Sequence, residues 1–304
     1  MEFCILVEPH NGADYDDQLR VALAAERLGY AGFFRADHLI AGQGDGLPGP
    51  TETWVTLAGL AIQTSTIRIG SLMTSATFRH PSVLAAIVAQ VDRMSGGRVD
   101  FGFGAGWWDR EHRATGIALP DPTERFDRFS EQLEIISGLW SAAGTFSFSG
   151  RYFTLDRSPA LPKPLQDDVP IIIGGDGKKR TPALAARFAG EYNCGWEDPE
   201  TTTTLFDRAR NACAAIGRDP NTLRLSTVQT PCIGATAADR ERRAAAIGTP
   251  SGERVGALTG DASDVARQLH EFAEVGVDRI YLELLDLDDI AQLEYFANDV
   301  IPML

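Results

Sequence analysis

The 304-residue sequence predicts an α/β fold, a (β/α)8 barrel with insertions. Eight short β-type segments alternate with helical stretches, and most connections are short. No Gly-x-Gly-x-x-Gly opens a helix after the first strand, which disfavours an open doubly wound sheet. With no internal repeat or low-complexity linker, residues 1–304 are assigned to one domain.

The apolar run 3–8 is the first strand. Residues 16–28 follow as an amphipathic helix, with Leu19, Leu23 and Leu28 expected near one face and Gly29 as its stop. Residues 31–36 are the second strand and end in Asp37-His38. A Gly/Pro-rich loop covers 42–50, and 52–64 is helical. The third strand is 67–72; Pro81, suited to a first helical turn, opens the helix 81–94. Val99, Phe101 and Phe103 alternate with Asp100, Gly102 and Gly104, and this period of two makes the fourth strand. Helices at 108–116 and 124–141 lead to a β-hairpin within 145–155, marked by Phe146, Phe148, Tyr152 and Phe153 around Ser149-Gly150. Strands five to eight are 169–173, 192–194, 223–229 and 278–285. Helices fall at 181–189, 200–216, 237–247, 264–275 and from 288 onward. The polar stretch 249–259 reads as an insertion.

Composition narrows the function classes. A net charge of -14 argues against a nucleic-acid backbone as partner. No apolar run reaches membrane-spanning length, and the first four residues do not resemble a signal peptide. Cys4, Cys194, Cys213 and Cys232 are scattered, as buried free thiols in a reducing compartment would be, and lack metal-ligand spacing. A cytoplasmic protein without metal, membrane or nucleic-acid partner is the expectation. Three lysines against 25 arginines, with abundant alanine, is the composition of a GC-rich bacterial genome.

Catalytic groups of such a barrel come from the C-terminal ends of its strands. Asp37 and His38 end the second strand. Histidine titrates near neutrality and carries protons; Asp37 either orients its ring or ends a turn. After the fifth strand comes Gly174-Gly175-Asp176-Gly177-Lys178-Lys179-Arg180. Glycine N–H groups beside a helix N-terminus form an anion-binding concavity, and two of the three lysines lie there. Leu72, Met73, Thr74 and Ser75 follow the third strand, and Gly104, Ala105, Gly106, Trp107 and Arg110 the fourth. Gly102 and Gly104 leave one strand face bare, either for a flat cofactor or for tight packing inside the barrel. Trp107 and Trp108 either wall a ring-shaped ligand or pack beneath the next helix. Glu111 is read as a helix-dipole residue, Glu283 as an exposed carboxylate, and His80 and His112 as structural or exposed. His10 and His270 have no neighbours that suggest chemistry. No nucleophile elbow or His-Glu-x-x-His occurs, which leaves a barrel enzyme for an anionic, planar ligand.

Several segments together resemble the bacterial luciferase-like flavin/deazaflavin oxidoreductases, most closely the F420-dependent subgroup. They are Arg35-Ala36-Asp37-His38-Leu39, Thr77-Phe78-Arg79-His80-Pro81, Ser95-Gly96-Gly97-Arg98 and Phe101-Gly102-Phe103-Gly104-Ala105-Gly106-Trp107. Glu124-Arg125-Phe126-Asp127-Arg128, Pro162-Lys163-Pro164 and Ile171-Ile172-Ile173-Gly174-Gly175 complete the set. The resemblance implies a (β/α)8 barrel with coenzyme F420, or alternatively FMN, in its mouth. It implies that Asp37 and His38 lie near the ring and that residues 72–75 pass behind it, with a non-proline cis peptide at Leu72-Met73. Residues 174–180 then meet the phosphate or tail. Two departures limit it. Ala105 stands where luciferases proper carry an arginine for the FMN phosphate. Trp107 replaces the glutamate of deazaflavin-dependent sugar-phosphate dehydrogenases, and their tryptophan near Gly42 is missing.

The expected activity is hydride transfer between deazaflavin C5 and a small organic substrate, in C=C or imine reduction or alcohol oxidation. His38 donates the proton or stabilises charge, and an F420- or flavin-reducing system supplies electrons. The alternatives are an FMN-dependent monooxygenase and a non-catalytic cofactor-binding barrel. Family members are often dimers, so a homodimer is compatible with this reading. Residues 42–50, 145–155 and 249–259 are expected to shape the substrate pocket.

Overall fold

The computed structural model describes residues 1–248 and 257–304. Its strands are β1 (Glu2–Val7), β2 (Gly32–Arg35), β3 (Arg68–Ser75), β4 (Val99–Gly104), β5 (Phe146–Ser149), β6 (Thr154–Ser158), β7 (Ile171–Gly174), β8 (Glu191–Asn193), β9 (Arg224–Ile233), β10 (Ala257–Gly260) and β11 (Arg279–Leu284). Eight pair in parallel, in the order β1-β2-β3-β4-β7-β8-β9-β11, and β11 pairs back to β1. This is the closed (β/α)8 barrel that the alternation predicts. β5 and β6 form the antiparallel hairpin. The long β9 pairs with β8 and β11 over its first half and with β10 over its second.

The helices are α1 (Tyr15–Arg27), α2 (Thr53–Gln63), α3 (Pro81–Ser95), α4 (Asp109–Thr115), α5 (Pro122–Ser141), α6 (Arg180–Phe188), α7 (Pro199–Ala215), α8 (Ala237–Ala246), α9 (Ala262–Glu274) and α10 (Ile290–Tyr295). Their starts are written locally. Asp14, Asp121, Asp198 and Asp261 cap α1, α5, α7 and α9 with side-chain oxygens that accept from first-turn N–H groups. Each such cap contributes about 1 kcal/mol.

Alternation along β4 divides the core into two shells. Phe101 and Phe103 point outward to the helices, where they meet Trp54, Phe129 and Trp140 at centroid distances of 5.0–5.9 Å. The opposite face points into the barrel. There Cys4, Leu6, Phe34, Leu72, Ile172, Val228 and Tyr281 form a separate apolar plug. Below it lies an ionic floor. The buried Arg279 donates to Asp100 Oδ2 at 3.0 Å, Glu191 Oε2 at 2.9 Å and Glu2 Oε2 at 2.7 Å, and the Tyr281 hydroxyl donates to Glu191 Oε1 at 2.6 Å. The ionic floor and the apolar plug thus fill the barrel from its N-terminal end.

Four expectations change. Leu23 is 43% exposed; α1 buries Val21, Ala22, Ala24 and Ala25 instead, because small residues let the helix lie close to the sheet. The third strand continues to Ser75, with an extra residue against β4 between Ser71 and Thr74. Of the insertion 249–259, residues 257–259 belong to β10, and 249–256 lie outside the described residues. Glu283 is buried and accepts from the Thr230 hydroxyl. No helix among the described residues is long and apolar enough to cross a membrane.

Candidate active site

The open end of the barrel holds a cleft of about 540 Å³, inside the roughly 300–1,000 Å³ range of small-molecule sites. Asp37, His38, Leu72, Met73, Thr74, Ser75, Gly104, Ala105, Gly106, Trp107, Gly174, Gly175, Asp176 and Gly177 all line it. Glu8 after β1, Asn193 of β8 and Val228 of β9 line it too, so seven strands contribute to one cavity, as the barrel topology requires. Arg110, Lys178, Lys179 and Arg180 do not line it. All four are exposed, and Arg180 is spent on Asp127 and the Thr123 carbonyl. The basic cluster therefore lies outside the cleft, on the surface of the turn into α6.

Asp37 does not orient His38. Its carboxylate is buried and clamped by Arg79, at 2.6 and 3.0 Å, and it also accepts from the Ser75 N–H at 3.0 Å. Arg79 reaches Glu52 as well. Burial lowers the Arg79 pKa, but bonds and charge from Asp37 and Glu52 outweigh it and hold the guanidinium above its usual range. The clamp joins β2, the end of β3 and the start of α2.

The carboxylate that faces His38 is Glu111, on α4. Its Oε2 lies 3.1 Å from His38 Nδ1, and its Oε1 accepts from the Leu39 N–H. Glu111 is almost fully buried. A carboxylate at Nδ1 fixes the ring's orientation and keeps that proton on Nδ1. His112, one residue on, is also buried; Nδ1 meets the Trp108 carbonyl and Nε2 the Thr77 hydroxyl, both at 2.7 Å. His10 is not without chemical neighbours: its ring packs edge-on against His38 at 4.6 Å. Burial first, then the charge of His38, lowers the His10 pKa to about 3, and Nδ1 has no partner among the described residues.

The two tryptophans wall the cleft together. Their rings stack at 5.8 Å with 16° between planes, and the edge of His38 meets both. Trp108 is half-buried, whereas Trp107 is 68% exposed.

The glycines of β4 answer the two readings differently. A Cβ at Gly102 would lie 2.0 Å from the Ser71 carbonyl oxygen, so that glycine serves packing between β3 and β4. A Cβ at Gly104 would meet only Met73, at 3.6 Å or more; this is the glycine that opens onto the cleft. The Leu72-Met73 peptide is cis. Gly175 has φ +124°, a conformation that favours glycine. Its N–H donates to the Asn193 carbonyl at 3.1 Å and is not available to an anion.

Sequence reasoning did not assign cleft roles to Glu111, His112 or Arg125, whereas Trp196, expected at a strand end, does line the cleft. Arg125 is the most informative of them. It lines the cleft from α5, and its buried Nε has no partner among the described residues. Its position within Glu124-Arg125-Phe126-Asp127-Arg128 looks like ordinary helix-surface charge, which hid it.

Fold and site define a (β/α)8 barrel with a ligand-sized cleft at the strand C-termini, backed by glycine and walled by aromatic rings. The chain belongs to the luciferase-like monooxygenase family, whose model matches residues 1–251. It is 34% identical over 192 residues to an F420-dependent glucose-6-phosphate dehydrogenase of Microbacterium testaceum, covering 62% of this chain and 55% of that protein. The chain thus spans little more than half the length of that relative. A pyrimidine monooxygenase RutA of Stutzerimonas stutzeri is 28% identical over 331 residues, 94% of this chain and 89% of the relative. Among solved structures, an F420-dependent secondary alcohol dehydrogenase in complex with an F420-acetone adduct superposes with a TM-score of 0.84. It is 20% identical and covers 99% of this chain and 98% of that one, which establishes the shared fold.

Proposed function

We propose that this protein is an F420-dependent oxidoreductase acting on a small organic substrate. The observation that carries the proposal is the pairing of the glycine-backed cleft with Arg125, a cation lining the cavity with an unmatched buried nitrogen. A flat ring bearing an anionic tail fits both features: bare main chain at Gly104 for the ring and a guanidinium for the tail. A bound deazaflavin would supply a hydride at C5 in reduction, or accept one there in alcohol oxidation.

The chain's own residues do the rest. Residues Leu72 to Ser75 and Gly104 to Gly106 form the wall against which a ring is held, and Gly174, Gly177 and Arg125 receive the phosphate-bearing end. Lys178, Lys179 and Arg180 act at most through long-range attraction on an extended tail, since they lie outside the cleft. Asp37 is a positioning residue: with Arg79 it fixes the Ser75 backbone. His38 is the proton-transfer group. Glu111 occupies Nδ1, which leaves Nε2 to exchange a proton with substrate. The ionic floor and the apolar plug keep bulk water from entering through the barrel.

The test is anaerobic turnover of reduced F420 against activated alkenes and imines, and of oxidised F420 against secondary alcohols, followed by deazaflavin absorbance. Stoichiometric conversion with any of these classes supports the assignment. The monooxygenase relative favours a second reading, an FMN enzyme fed by a separate reductase. Oxygen uptake coupled to product hydroxylation with reduced FMN, and none of the F420 conversions, selects that reading instead.

A further inference from the structure

We propose that the substrate of this cleft is a flat, π-rich molecule without negative charge that stacks on the exposed face of Trp107. The inference rests on reading the cleft as the hydride-transfer site, and it gives Trp107 to the substrate rather than to the cofactor.

Trp107 is a large aromatic side chain left 68% exposed at the mouth of a ligand-sized cavity. An indole left in water at a cavity mouth keeps apolar area that a ligand can cover. The ring is nonetheless not loose. Trp108 stacks on it at 5.8 Å and His38 meets it edge-on at 6.0 Å, so its plane is set relative to the proposed proton-transfer group. A ring fixed by one stacked neighbour and exposed elsewhere is a ready platform for a second flat ring. Trp196, 36% exposed, adds another indole to the lining.

Charge supplies the second half. The cleft's acidic lining includes Asp176 and Glu8, which accepts from Asn11 Nδ2 at 3.2 Å, in addition to Asp37 and Glu111, which are paired with Arg79 and His38. Beside Trp196, burial and the charges of Asp176 and Asp198 raise the Glu197 pKa, the mark of crowded carboxylates on that lip. Arg125 is the lining cation given to the cofactor's phosphate, and the lysines lie outside. An anionic substrate would approach like charge on a chain already at -14, while a neutral ring, or a cationic one, would not. A phosphorylated sugar, the substrate in the name of the 34%-identical relative, is therefore disfavoured here.

The experiment is isothermal titration of the protein, alone and loaded with F420, with three probes: 2-naphthol, 2-naphthoate and glucose 6-phosphate. The first two share one bicycle and differ in charge. We expect saturable 2-naphthol binding at least tenfold tighter than that of either anion. Trp107→Ala should weaken it about tenfold and Trp107→Phe less than threefold, with F420 affinity in both variants within threefold of the parent. Equal or tighter binding of an anion, unchanged 2-naphthol affinity in Trp107→Ala, no saturable 2-naphthol binding at millimolar concentration, or a tenfold loss of F420 affinity in that variant overturns the proposal. If F420 fails to bind the parent protein while 2-naphthol behaves as expected, the cofactor assignment fails and the aromatic platform stands.

Discussion

Two glycines one residue apart do different work. At Gly102 the space belongs to the Ser71 carbonyl, so Gly102→Ala must push strands apart; the expected loss is about 1–3 kcal/mol or failure to fold. At Gly104 a methyl group has room, so Gly104→Ala should unfold within about 1 kcal/mol of the parent yet bind F420 at least tenfold more weakly. Denaturant unfolding together with cofactor titration separates the two. His38 and Glu111 form a second residue-scale unit. His38→Ala should lower turnover about 100-fold or more with cofactor affinity kept, and full turnover in that variant would remove His38 from the chemistry. The sequence exposes one member of this unit and conceals the other. His38 stands at a strand end beside Asp37, where topology points. Glu111 is 73 positions away in the first turn of a helix, where local rules explain a glutamate without any partner. Asp37, the sequence neighbour, was the natural candidate to orient the ring, yet Arg79 holds it.

At the scale of elements, the clamp of Asp37, Arg79 and Glu52 ties β2, β3 and α2 together beneath the cleft. Arg79→Met leaves the Asp37 carboxylate buried without its cation, and we expect a loss of about 3–5 kcal/mol by denaturant unfolding. His10, in the turn after β1, gives the same region a pH dependence. Its pKa falls from 6.5 unfolded to about 3 folded. Between those values the unfolded chain binds the extra proton, so stability is full above about pH 6.5 and declines as pH falls toward 3. His10→Asn should flatten that limb of the Tm–pH curve; an unchanged limb would show that His10 is not its source. Elements were largely legible because their signals are local: caps, Pro81 and period-two alternation. What local signals miss is where small residues let a helix settle, so Leu23 was placed inward by pattern although alanines carry the contact.

For the whole molecule, eight strands closing on themselves leave one end for chemistry and the other for stability. The N-terminal end is ionic. Arg279 is almost wholly buried among Asp100, Glu191 and Glu2, and Arg279→Met should cost about 3–5 kcal/mol while leaving F420 affinity unchanged, because the apolar plug separates floor from cleft. The open end gathers residues from positions 6 to 228 of the chain into one cavity. The barrel rule foresaw that gathering from strand order. It did not foresee which charges fall inside. Lys178 and Lys179 look like the anion site in sequence and lie outside the cleft, whereas Arg125, on a helix, lines it.

The most direct measurement is therefore equilibrium titration of the protein with F420 and, separately, with FMN, on the parent chain and on Arg125→Ala. The expected result is one saturable F420 site per chain, weakened at least tenfold in Arg125→Ala, with FMN bound far more weakly than F420. Tight FMN binding with no F420 binding, or F420 affinity indifferent to Arg125, would contradict the assignment.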